Sequence, residues 1–246
     1  MNTGHFTSIV HAALAQAGFT PPARNEGRTI VFACTPLVAQ VTHAQAVLDA
    51  GEAQRAARFR FDRDRTRHVL AHAVWRIALA TCLDVAPAAV PLLATPSGQP
   101  TLPGTGLSTS LSHAGDWAAV SICADETSGI DIEQQPSRVR LAEMAEVVCT
   151  PAEATRVMAL DVAAREHALL VLWTRKEALL KAFGVGLGVD PARFDAGATE
   201  PVAPPPTAAD MPSCRALPLD LPTGLVGAVA LPVGSKLVGQ HGLEWV

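Results

Sequence analysis

Apolar positions along the chain recur with two different periods, and the changes between them mark out the elements. RTIVFAC (28–34) is dense in β-branched and aromatic residues and predicts a strand, where the ordered fold is expected to begin. The residues before it, 1–27, are expected to form an N-terminal extension with one short amphipathic helix. No proline interrupts Thr42 to Leu83, and Val69, Ala73, Ile77 and Ala80 recur at helical spacing, so one helix is predicted there, clearest in its second half. It ends before a loop from Pro87 to Pro103.

STSLSH (108–113) and WAAVSIC (117–123) read as two strands joined at Ala114, Gly115 and Asp116, which is hairpin chemistry, and GIDIEQ (129–134) reads as the next strand. Thr150 as N-cap, Pro151 at the first helical position and Glu153 reaching back predict a helix start. A second long helix is predicted from about Ala163 to Phe183. Leu169, Leu172, Leu179 and Phe183 form its apolar stripe, and Gly184, Gly186 and Gly188 punctuate its end. The proline-rich segment 201–222 predicts irregular structure before a last strand, LVGAVAL (225–231). The order of elements gives an α+β chain in two halves of similar plan, 28–125 and 129–246, without a residue-level repeat.

Composition narrows the function classes. The 246 residues are 49% hydrophobic and 17% charged, enough apolar material for one large or two small cores. A net charge of −4 gives no overall attraction to nucleic acid. Five cysteines without CxxC spacing argue against a disulfide framework or a zinc knuckle and suit a reducing cytoplasm. The first residues lack a basic region ahead of a long apolar core, and no stretch reaches the length of a membrane span, so neither export nor a membrane is expected.

Within GIDIEQ the isoleucines alternate with carboxylates. In a strand, Asp131 and Glu133 leave one face about 7 Å apart. Their repulsion, roughly 2 kcal/mol at an effective dielectric near 20, calls for solvent, a basic partner or a metal ion. Downstream, WTRKEALLKAFG (173–184) sets Lys176, Glu177 and Lys181 in an apolar run, with Glu177 and Lys181 on one helix face. By itself that pair reads as a surface i,i+4 contact. Taken with the strand, it supplies a third carboxylate beside two lysines, a set suited to a hard divalent cation that bridges phosphate oxygens, as magnesium does.

The two motifs, in this order and separation, resemble those of the Sfp-type 4'-phosphopantetheinyl transferases: Gly129-Ile130-Asp131-Ile132-Glu133, then Trp173-Thr174-Arg175-Lys176-Glu177-Ala178-Leu179-Leu180-Lys181. SLSHAGDWAAVSI (110–122) is similar to the family's S-H-[ST] stretch, PSGQP (96–100) to its G-K-P loop, and RFRFDRDRTRHVLAHAVWR (58–76) to its basic, phenylalanine-containing helix. The resemblance covers about Arg55 to Phe194. It implies two α+β halves related by a pseudo-twofold, with coenzyme A in the cleft between them. A serine of an acyl or peptidyl carrier protein would attack the pantetheine-side phosphorus, releasing 3',5'-ADP.

The resemblance also assigns roles. Asp131, Glu133 and Glu177 would hold magnesium, or manganese in its place. Lys181 would stabilise the departing phosphate, and Glu177 would be a metal ligand, the proton acceptor for the serine, or both. Arg55, Arg67, Arg76, Gly98, Pro100, Ser112, His113, Lys176 and Lys181 would contact coenzyme A. A cytoplasmic monomer is implied, since one chain supplies both walls of the cleft. Two departures stand out: Gln99 replaces the lysine of the G-K-P loop, and Glu52 stands where a basic residue is common. Other readings are a degenerate homologue that binds coenzyme A or a carrier without catalysis, and a metal-dependent nuclease. Against the nuclease, Gln135 stands where its signature would put a lysine.

Overall fold

Two long helices organise the chain, each laid against a sheet of its own. The computed structural model describes residues 3–137, 145–197 and 200–245. In chain order the elements are α1 (Thr3–Gln16), β1 (Glu26–Ala33), α2 (Val41–Gln45), α3 (Ala50–Ala57), α4 (Asp62–Leu83), β2 (Leu93–Ala94), β3 (Pro100–Thr101), β4 (Ser108–Ala114), β5 (Trp117–Cys123) and β6 (Gly129–Gln134). There follow α5 (Ala145–Val148), α6 (Pro151–Met158), α7 (Val162–Ala182), β7 (Cys214–Pro218), β8 (Leu225–Pro232) and β9 (Lys236–Leu243).

The first sheet has the order β4-β5-β1-β9 and the second β6-β8-β7, while β2 and β3 form a small hairpin. Strand alternation gives each sheet two buried faces. Ile30 and Phe32 of β1, with Ala118, Val120 and Ile122 of β5, join the core under α4; Val31, Ala119 and Cys123 face the other way. There they meet Ile130, Ile132, Val229 and Leu231 of the second sheet, whose opposite face, Ala228 and Ala230, packs with Ala178 and Ala182 of α7. The layers therefore run α4, first sheet, second sheet, α7. This is the expected α+β architecture of two halves.

Four expectations change. The ordered fold begins at α1, because Phe6 and Val10 are fully buried in the first core. The helix expected over 42–83 is three helices. Asp49 accepts from the Glu52 amide and Glu52 from the Asp49 amide, a capping box that starts α3 afresh. Phe61 is then extended, and Asp62 and Asp64 favour a new N-terminus for α4. The proline-rich segment contains β7, which pairs with β8. Finally β9, whose glycines and polar residues masked its period, crosses back to lie parallel to β1 at the edge of the first sheet. Residues 236–243 thus complete the sheet of the first half, although the pattern grouped them with the second.

Candidate active site

Gly129 fixes how β6 meets α7. A Cβ there would collide with the backbone of Ala178 and Ala182, so only glycine lets the strand lie this close to the helix. Alternation then puts Asp131 and Glu133 towards α7, while Ile130 and Ile132 are fully buried against the first sheet. Lys181, near the end of α7, places Nζ 2.7 Å from Asp131 Oδ1, 3.0 Å from Ile130 O and 3.2 Å from Ser112 Oγ. Ser112, from β4 of the other half, donates to Asp131 Oδ1 at 2.8 Å. Trp173 Nε1 donates to Glu133 Oε1 at 3.3 Å.

Among the described residues, Lys181 is the ammonium that meets these carboxylates, and it leaves part of their charge without a partner. Asp131 Oδ2 and Glu177 Oε1 are buried and accept no hydrogen bond from the described residues. Burial, opposed by Lys181, raises the Asp131 carboxyl above the usual carboxylate range. Burial and then the Asp131 charge raise Glu133, and burial, Asp131 and Glu133 together raise Glu177. The donors are all oxygen and two are unsatisfied, which fits a hard divalent cation in kind. Among the described residues no three such side chains converge closely enough to hold an ion as they stand. Further oxygen ligands would have to complete the shell.

Beside this cluster, between the α3–α4 region and the β2–β3 hairpin, lies a cleft of about 880 Å³. Arg55, Gly98, Pro100 and His113, four of the residues expected to contact coenzyme A, line it. An adjoining hollow of about 320 Å³ shares Phe59, His68 and His113 with it and is lined also by Arg67, whose Nε lies 3.5 Å from Asp116. His113 is open to the cleft yet crowded by protein at longer range. That crowding, then His72, His68 and Lys181, pulls its pKa down to about 3, so it is neutral in the folded protein.

Three predicted contacts lie elsewhere. Arg76 is 1% exposed and spends its donors inside the first half, on Asp49 Oδ2 (2.6 Å), Glu52 Oε2 (2.9 Å) and the carbonyls of Pro87 and Val90. Glu52, the acid at an expected basic position, is thus the partner of a buried arginine. Lys176 is fully buried on the far side of α7, with Nζ 2.6 Å from Glu153 Oε2 and 2.8 Å from Pro191 O. It follows Arg175 round the helix, away from the Glu177 and Lys181 face. Ser112 is turned from the cleft into the carboxylate cluster. Conversely, sequence reasoning passed over His68 and His72, one turn apart on α4, which line the cleft with ring centroids 4.0 Å apart. Their i,i+4 spacing beside Arg67 was the signal.

Comparison with known proteins gives two matches in series. The model described as 4'-phosphopantetheinyl transferase, N-terminal, matches residues 33–125, and that of the 4'-phosphopantetheinyl transferase superfamily matches 127–211. The chain is 32% identical over 187 residues to a phosphopantetheinyl transferase of Thraustochytrium sp., covering 68% of this chain and 64% of the relative. It is 30% identical over 152 residues to the 4'-phosphopantetheinyl transferase HetI of Nostoc sp., covering 60% and 64%. The chain spans less than two thirds of the length of the curated relatives it matches.

Proposed function

Since this chain belongs to the 4'-phosphopantetheinyl transferase superfamily, we propose that it is an Sfp-type enzyme moving the phosphopantetheine arm of coenzyme A to a serine of an acyl or peptidyl carrier protein. The observation that carries this reading is the cluster of Asp131, Glu133, Glu177 and Lys181, with two buried carboxylate oxygens unsatisfied, beside a cleft lined by arginine and histidine.

In the reaction, the serine Oγ forms a bond to the pantetheine-side phosphorus while the bond from that phosphorus to 3',5'-ADP breaks. Arg55 and Arg67 suit the phosphates, because a guanidinium fork donates two parallel hydrogen bonds to an anion. His113, neutral, offers one ring N–H to the same groups without adding charge. Lys181, which bonds to Asp131, is suited to stabilise with its ammonium the charge gathering on the departing phosphate. Glu177, whose proton affinity is raised by its surroundings, is suited to accept the serine proton directly or through water. Asp131, Glu133 and Glu177 are the residues that would hold magnesium. When bound, that ion would spread the negative charge of the transition state over the pyrophosphate oxygens.

A degenerate, non-catalytic homologue is disfavoured by the unsatisfied oxygens, which cost stability until a ligand meets them. We place the protein in the cytoplasm as a monomer. No helix among the described residues is long and apolar enough to cross a membrane. The test is incubation with a fluorescent coenzyme A, magnesium and a panel of apo carrier domains. At least one carrier should gain the label; none doing so would overturn the reading.

A further inference from the structure

The position that departs most visibly from the G-K-P pattern has a different job. Gly98 and Pro100 line the cleft, but the side chain of Gln99 between them turns away from it. Its Nε2 donates to the carbonyls of Lys181 at 3.2 Å and Ala182 at 3.4 Å, the last turn of α7. Helix C-termini leave their final carbonyls short of intrahelical partners; Lys181 O accepts from the Gly184 amide, and a donor from the other half of the molecule adds a second bond there and one to Ala182 O. Two more contacts close the same end. Ser97 Oγ donates to Gly184 O at 3.1 Å, and Thr127 Oγ1 donates to Ala182 O.

Gly184 adopts φ +68°, and a Cβ on it would collide with Gln99 Oε1, so the helix stop and the glutamine are built around each other. Lys181 is therefore held at both ends. Its backbone carbonyl is tied to the β2–β3 hairpin by Gln99, and its ammonium is tied to β6 and β4 by Asp131, Ile130 and Ser112.

Resting on the transferase reading above, we propose that Gln99 is a positioning residue: it anchors the C-terminal turn of α7 to the hairpin that forms the cleft wall, and so sets where Lys181 and Glu177 stand relative to the bound nucleotide. Gln99 itself touches no substrate. What the position needs is a hydrogen-bond donor facing carbonyls at the negative end of a helix, a need that a lysine side chain also meets and an alanine or glutamate does not.

The experiment compares Gln99→Ala, Gln99→Glu and Gln99→Lys with the unaltered full chain by two readouts. The first is amide hydrogen exchange at Phe183, Gly184 and Val185, whose N–H groups bond back to Leu179, Lys181 and Leu180. Loss of one shared donor should speed exchange there roughly three- to tenfold in Gln99→Ala, more in Gln99→Glu, and little in Gln99→Lys. This readout involves no activity, so it stands or falls apart from the transferase reading. The second is steady-state transfer to a carrier that the unaltered protein labels. Gln99→Ala should lower kcat roughly three- to tenfold with KM for coenzyme A within about twofold, and Gln99→Lys should recover kcat. Unchanged exchange in Gln99→Ala would overturn the anchoring. A KM that rises in Gln99→Ala and falls in Gln99→Lys, with kcat constant, would make Gln99 a nucleotide contact and overturn the positioning role. If the unaltered protein labels no carrier, the transferase reading fails while the exchange result still decides the anchor.

Discussion

Lys181 Nζ stands 2.7 Å from Asp131 Oδ1, so the ammonium proposed to meet a phosphate and the carboxylate proposed to meet a cation hold each other. Asp131 is almost fully buried and Lys181 partly exposed, so most of the cost of breaking the pair falls on the acid. Lys181→Met is expected to destabilise the protein by roughly 1–3 kcal/mol at neutral pH, below the 3–5 of a fully buried pair because solvent reaches the lysine. Urea unfolding at pH 7.5 and pH 5 checks it. The deficit should shrink as pH falls through the raised range of Asp131, where the acid takes up a proton and no longer needs a partner.

The three carboxylates make the site itself a source of pH-dependent instability. Asp131, Glu133 and Glu177 all have folded pKa values raised above their unfolded ones. The folded state thus binds protons more tightly than the unfolded one. Their contribution is fully present below the ordinary carboxylate range and is lost as pH rises through the raised values. Glu177→Gln removes one negative charge from the cluster while keeping the side chain's shape. It should raise the midpoint of thermal unfolding at pH 7, gain little at pH 4, and depress transfer at least tenfold. An unchanged midpoint at pH 7 would mean the carboxylates do not strain the fold.

Lys176 separates a structural from a binding role. Its ion pair with Glu153 is fully buried, and Glu153 also accepts from the amides of Thr150, Ala196 and Gly197. Lys176→Met should cost about 3–5 kcal/mol, because the glutamate is left buried and unpaired. Pairing it with Glu153→Gln should return part of that. KM for coenzyme A, measured on whatever fraction folds, should not move.

His68 is 7% exposed, and its Nε2 has no hydrogen-bond partner among the described residues. Burial, then the neighbouring His72 and Arg55, pulls its pKa down to about 4. A histidine with a depressed folded pKa contributes stability that is present above its unfolded value and lost as pH falls from about 6.5 towards 4. His68→Leu should flatten the acid limb of the stability profile in that window. An acid limb as steep as before would assign the effect to other groups.

The sequence made the carboxylate-bearing strand and helix legible because each combines a strict period with charged residues that break it. Asp131 and Glu133 sit where alternation puts them, and Glu177 and Lys181 share the face that spacing assigns. What the pattern did not disclose was which charged residues are consumed by the fold. Arg76 and Lys176 look like binding groups until Asp49, Glu52 and Glu153 meet them, and those acids come from capping boxes whose side chains read locally. The contacts of Ser112 and Gln99 were not legible for a related reason: both face the opposite half of the molecule, and contacts between residues 69 and 82 positions apart leave no periodic trace. The last strand, β9, escaped because an edge strand carrying two glycines has a weak pattern and its partner, β1, lies at the other end of the chain.

The central claim is that phosphopantetheine transfer is carried out at the carboxylate cluster on β6 and α7. It is tested most directly by intact-mass spectrometry of an apo carrier incubated with coenzyme A, magnesium and either the unaltered protein or Asp131→Asn, with circular dichroism confirming that both are folded. The unaltered protein should convert the carrier to a species heavier by one phosphopantetheine at a single serine, and Asp131→Asn should do so at least about a hundredfold more slowly. Equal conversion by the two proteins would contradict the account.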